Sequence, residues 1–130
     1  MVTYWIAISD ETNWEIIKDK NIFGVTERHK KQFKLIQPED CLIVYVKPKQ
    51  LGGIFSVKKK FRNPLFRWDG YVNQIKLNPL FIATSPKGLE REFIDSLDLF
   101  RNKMWGATLK GKALIKITDN DWKRLITYLK

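Results

Sequence analysis

Cys41-Leu42-Ile43-Val44-Tyr45-Val46 is the longest uninterrupted apolar run in the chain. It has strand length and is rich in β-branched and aromatic residues, so it reads as a strand. Pro38-Glu39-Asp40 just ahead of it has turn chemistry. Just after it, Leu51 to Val57 reads as a second strand with Gly52-Gly53 at its start. Working outward, Thr3 to Ile8, Tyr71 to Leu77 and Leu114 to Ile117 are further strands, and Ile22-Phe23-Gly24-Val25 is a short extended piece. A proline-bearing connection runs from Phe61 to Trp68.

Helices fall between these strands. Ser9 and Asp10 are N-cap residues for a helix over Glu11 to Lys20, with Trp14, Ile16 and Ile17 turned inward. Lys30 to Ile36 is a second short helix, with Phe33 and Ile36 three apart. Ser85-Pro86 reads as an N-cap followed by proline at the first helical position, and Leu89, Phe93, Leu97 and Phe100 then share one helix face. Thr118-Asp119-Asn120-Asp121 has the form of a capping box before a final helix carrying Trp122, Leu125, Ile126 and Leu129. Strands outnumber helices, without the regular alternation of a doubly wound sheet. The expected class is α+β: a small, mostly antiparallel β barrel decorated by short helices, one domain over residues 1–130.

Composition narrows the function. The chain has 130 residues, 44% of them hydrophobic, which is enough to offset the entropy of ordering and argues against disorder. It has one cysteine, Cys41, and one histidine, His29. A disulfide framework and a thiolate metal site both need several sulfurs, so neither is expected, and no cofactor is implied. The apolar run at 41–46 falls far short of the ~20 residues that cross a bilayer. No basic region precedes Tyr4, and Asp10 and Glu11 follow Ile8 closely, which is not a secretory signal. A cytoplasmic protein with no membrane partner is expected, and a monomer is the default.

Lys plus Arg number 24 against 14 Asp plus Glu, a formal charge of +10, and the excess is concentrated. Residues 47–68 hold Lys47, Lys49, Lys58, Lys59, Lys60, Arg62 and Arg67 with no acid, whereas Asp10, Glu11 and Glu15 are the only charged side chains before Lys18. A second basic segment, 18–34, includes Arg28 and Lys30. Phe61, Phe66, Trp68 and Tyr71 interleave with the first. Positive charge follows a phosphate backbone, and aromatic faces stack bases at ~1–3 kcal/mol each. Against this stands the plain reading that the lysine run is a solvated strand end and the aromatics are core. For Phe61 the plain reading weighs more. Phe66 and Trp68, in a polar loop beside Arg62 and Arg67, favour binding.

Signals for catalysis are weak. Gly52-Gly53 lacks the lysine and hydroxyl residue of a phosphate loop, and there is no nucleophile elbow. His29 lies between Arg28 and Lys30 with no carboxylate beside it, so it reads as part of a solvated basic turn. Cys41 reads as a small core hydrophobe, and Asp95 and Asp98 as polar surface on a helix.

Taken in order, Tyr4-Trp5-Ile6-Ala7-Ile8, Asn13-Trp14, Phe23-Gly24-Val25, Pro38-Glu39-Asp40, Leu42-Ile43-Val44-Tyr45 and Gly53-Ile54-Phe55-Ser56-Val57 resemble the EVE domain, one of the PUA-like small β barrels. Asn102-Lys103, Trp105 and Gly111-Lys112-Ala113 are similar to its single-domain archaeal and bacterial members. The resemblance spans nearly the whole chain. It implies a fold related to YTH domains, which bind a methylated base in an aromatic cage, and a non-catalytic reader of a modified base in DNA or RNA. Carried onto this sequence, Ser9 and Asn13 would contact the base edge and Phe23, with Gly24 and Val25 beside it, would form one cage wall. Trp68, or second to it Phe66, would form the other, with Trp105 bordering the pocket or packing in the core on equal terms. Trp5 and Trp14 are assigned to the core. Lys58, Lys59, Lys60, Arg62, Arg67, Arg28 and Lys30 would meet phosphates.

The chain departs from the family pattern at three places. The family commonly has Trp where Phe23 stands and Gly where Glu39 stands, and the connection from Val46 to Gly52 is short. Phenylalanine still stacks, but with less area and no indole N–H, so the preferred ligand is expected to differ. The competing expectations are a small-molecule-binding module and an accessory subunit of an RNA-modification system.

Overall fold

The structure, a computed structural model, describes residues 2–62, 71–100 and 111–130. Its centre is one sheet of six strands: β1 (Tyr4–Ser9), β2 (Ile22–Val25), β3 (Cys41–Val46), β4 (Gln50–Arg62), β5 (Asn73–Gly88) and β6 (Leu114–Ile117). Their spatial order is β2-β5-β4-β3-β1-β6. The sheet curls into a half-barrel in a mixed α+β architecture, the class the sequence led us to expect. All neighbouring pairs are antiparallel except β1 and β3, which run parallel from Tyr4↔Cys41 to Ser9↔Val46. Parallel neighbours need a crossover. Here it holds α1 (Glu11–Lys20), β2, a 3-10 turn at Glu27–His29 and α2 (Lys30–Leu35).

The continuous apolar character of β1 and β3 follows from their central place. Trp5, Ala7, Leu42, Val44 and Val46 join a core on one face, with Trp14 and Ile17 of α1. Ile6, Ile8, Ile43 and Tyr45 join a second core on the other, with Ile94, Trp122, Leu125 and Leu129. A strand buried on both faces has no polar alternation to display. Trp5 and Trp14 are core residues, at 3% and 1% exposure.

Local chemistry sets the helix ends. The Asp10 side chain accepts from the Asn13 amide at 2.7 Å and starts α1. Asn21, at φ 55°, ends it in the left-handed region, its N–H donating to the Ile17 carbonyl. Two basic side chains close helix ends from the sheet. Lys60 Nζ donates to the Phe33 and Lys34 carbonyls of α2, both at 3.2 Å, and Lys76 Nζ donates to the Lys20 carbonyl of α1 at 3.2 Å.

Two sequence expectations are corrected. Ser85-Pro86 does not begin a helix: β5 continues to Gly88, which pairs with Gln50. β2 pairs with β5 only over Asn73 to Lys76, so beyond that point this side of β5 is an edge, where Pro79 and Pro86 are tolerated. The helix that follows, α3 (Arg91–Ser96), is short, and Leu97 is already extended. The second correction explains that break. Thr118 does cap the last helix, α4 (Asp119–Leu129), its hydroxyl accepting from the Asp121 amide at 3.1 Å. The buried Asp121 carboxylate does not reach back to the cap. It accepts from the Asp98 and Leu99 amides at 2.7 and 2.9 Å, holding the 3-10 turn Asp98–Phe100 against α4.

Candidate nucleic-acid interface

A cleft of about 400 Å³ opens where β1 ends. Backbone hydrogen bonds bring two distant segments there: the Lys47 amide donates to the Ser9 carbonyl and the Ile8 amide to the Ala113 carbonyl, both at 2.8 Å. Lys47 and Lys112 therefore reach one cavity from opposite sides of β1. Gly111 turns the chain into this segment at φ 71°, a conformation that disfavours any side chain. A Cβ there would lie 3.7 Å from an Arg28 guanidinium nitrogen.

The third wall is the turn after β2. Buried Asn73 donates from Nδ2 to Glu27 Oε1 at 3.0 Å, which ties this turn to β5 and sets Arg28 and His29 on the cleft. Buried Gln74 donates from Nε2 to the Tyr71 carbonyl at 3.1 Å and fixes the backbone that carries the Tyr71 ring. The Asn13 amide donates to the Tyr71 hydroxyl at 3.3 Å and closes the side facing α1.

The expected base-pocket residues fare differently. Ser9, Asn13, Phe23 and Gly24 line this one cleft, although they come from three elements. Ser9 is buried and its hydroxyl donates to the Asp10 carbonyl at 2.9 Å. Phe23 is only 3% exposed and belongs to the core, so it offers the cleft little stacking area. Val25 is wholly buried in the same core and does not line the cleft. Phe66, Trp68, Trp105 and Arg67 lie outside the described residues.

The expected phosphate contacts separate in the same way. Arg28 lines the cleft, while Lys30 and Arg62 both approach Glu27, at 3.8 and 3.3 Å. Lys60 is engaged on α2. Lys58 and Lys59 are exposed along β4, away from the cleft lining.

Sequence reading missed Lys47, Lys112, Tyr71 and His29 as neighbours. In the sequence Lys47 stands out only as one cation of the basic segment, and no spacing rule links it to Lys112 across 65 positions. His29 is half-buried on the cleft, not on an open turn. Desolvation lowers its pKa from the usual 6.5, and the cations Arg28 and Lys112 lower it further. Arg28, Lys47 and Lys112 have no ion-pair partner among the described residues, and Asp10 is the one carboxylate lining the cleft. Among the described residues no group of three His, Cys, Asp or Glu could hold a metal ion, and no helix is long and apolar enough to cross a membrane.

No protein-family model matches the chain. It is similar to a UPF0310 protein of Pyrococcus abyssi, 28% identical over 145 aligned positions, gaps included, that cover 98% of this chain and 100% of that one. A UPF0310 protein of Pyrococcus horikoshii is 27% identical, covering 94% and 95%. Among solved structures, the YTH domain-containing protein mmi1 in complex with RNA superposes with a TM-score of 0.69 at 11% identity, over 98% of this chain and 81% of that one. Protein Atu2648 of Agrobacterium tumefaciens gives 0.70 at 12% identity, over 98% and 92%. At such identities the likeness is one of fold.

Proposed function

We propose that this chain is a non-catalytic nucleic-acid-binding module that seats one base, a modified one, in the cleft at the end of β1. The observation that carries the reading is the convergence on one cleft of nucleoside scale, lined by Ser9, Asn13 and Tyr71, of three cations from three chain segments, Arg28, Lys47 and Lys112, that have no ion-pair partner among the described residues. The likeness in fold to an mmi1 YTH domain described with RNA supports it.

In this reading the polar floor reads the base edge. Ser9 and Asn13 carry the donors and acceptors, and Tyr71 supplies an aromatic face better exposed than Phe23. Trp68, with Phe66 second, is assigned to the opposing wall and Trp105 to its border. Extruding a base costs a few kcal/mol in a duplex and less in a single strand, so single strands bind more tightly. A methyl group on the base adds only ~0.8 kcal/mol by area, a several-fold preference. Stronger selection has to come from polar groups satisfied by one base alone, since a buried unpaired group costs ~1–3 kcal/mol. Lys58 and Lys59 add long-range attraction along the strand.

The test is a titration of tryptophan fluorescence with short single-stranded oligonucleotides carrying plain or modified cytosine or adenine. Quenching selective for one modified base, lost in Trp68→Ala, supports the reading. Equal binding of the free nucleoside and the oligonucleotide would favour a small-molecule site instead.

A further inference from the structure

We infer that Arg28, His29, Lys47 and Lys112 form a phosphate subsite at the mouth of the cleft, and that filling it adds a proton to His29. This rests on the nucleic-acid reading above and narrows its ligand to a phosphorylated unit. Four groups able to carry positive charge, from the turn after β2, the β3–β4 connection and the segment before β6, line a single cavity. Backbone bonds to Ile8 and Ser9 hold two of these segments, and the Asn73–Glu27 bond holds the third, so the cluster is assembled by the fold.

Three cations gathered around a single carboxylate repel one another on balance, and a bound phosphate relieves that repulsion. Glu27, on the same turn as His29, is already engaged by Asn73, Arg62 and Lys30. Across the cavity Asp10 spends its carboxylate on the start of α1, and Tyr71 on the β5 side is bonded to Asn13. The charged groups facing His29 are thus mainly Arg28, Lys47 and Lys112, with Asp10 opposing them. In the free protein this surrounding favours the neutral imidazole. An anion in the same cavity reverses the balance, and His29 takes a proton from solvent.

Because His29 is the only histidine, its ring protons report the event without ambiguity in an NMR pH titration. The probes are short single-stranded RNA and DNA oligonucleotides, with binding followed separately by fluorescence. The expected result is a higher His29 midpoint in the complex, and affinity that rises as pH falls, by up to about tenfold per unit for one linked proton. His29→Gln flattens that dependence, whereas the paired change Lys58→Gln with Lys59→Gln retains it. An oligonucleotide that binds while the His29 midpoint stays fixed overturns the subsite and leaves the nucleic-acid reading standing. If no oligonucleotide binds at any pH, both fall.

Discussion

The Asn13 side-chain amide donates to the Tyr71 hydroxyl at 3.3 Å, joining the first turn of α1 to the segment just before β5 across 58 positions of sequence. Both residues line the cleft, so this contact fixes the spacing of one of its walls. Tyr71→Phe removes the hydroxyl and keeps the ring. It is expected to cost ~1 kcal/mol of stability and to weaken oligonucleotide binding only slightly. Tyr71→Ala also removes the stacking face, worth ~1–3 kcal/mol, and should weaken binding about tenfold or more. Denaturant melts and fluorescence titrations of the two variants separate these effects.

The second prediction concerns the paired glycines of β4. A Cβ on Gly52 would lie 2.7 Å from the Trp14 indole, and one on Gly53 would lie 2.8 Å from the Phe81 carbonyl. The indole therefore packs directly onto bare backbone beside a register shift in the β4–β5 ladder. Gly53→Ala meets backbone that cannot rotate away, and should destabilise the fold by ~1–3 kcal/mol in equilibrium unfolding. Its effect on oligonucleotide affinity measured in the folded state should be small.

Glu39 gives a prediction of opposite sign. It sits at φ 75°, in the left-handed region that favours glycine. A side chain there costs about 1–2 kcal/mol. Glu39 is exposed and its amide bond to the Val57 carbonyl needs no side chain, so Glu39→Gly should raise the unfolding midpoint. The gain is reduced by the extra freedom glycine gives the unfolded chain.

These residues also show what the sequence could reveal. The strands were legible because β1 and β3 are apolar on both faces, and the start of α1 because Asp10 is a local cap. Ser85-Pro86 misled because the residues on either side of it pair with the start of β4, Ile82 with Gly53 and Lys87 with Leu51, and that long-range pairing outweighed a local cap signal. Asp121 misled similarly, since its carboxylate is taken by amides of a turn 22 and 23 positions back. Ser9, Asn13, Phe23 and Gly24 could be named from a resemblance. Lys47, Lys112 and Tyr71 join them only through sheet order and hydrogen bonds that no local spacing encodes.

Acid should destabilise the free protein through His29. Its folded pKa is lowered by burial and then by Arg28 and Lys112, so between that value and 6.5 the unfolded chain binds more protons. This contribution to stability is present above 6.5 and is lost as pH falls through that window. His29→Gln should show a shallower loss in thermal melts from neutral to mildly acidic pH. Lys112→Gln removes one repelling charge and should move the His29 midpoint upward in NMR.

The salt dependence of oligonucleotide binding, compared between the wild type and a variant with Arg28, Lys47 and Lys112 all changed to alanine, tests the central claim most directly. Each phosphate neutralised on a single strand contributes about −0.7 to the slope of log K against log salt. Loss of three contacts should therefore flatten the slope by about two and lower affinity strongly at low salt. Changing Lys58 and Lys59 should do much less. Affinity and slope that survive the triple change, with the fold intact by circular dichroism, would contradict the placement of nucleic acid in this cleft.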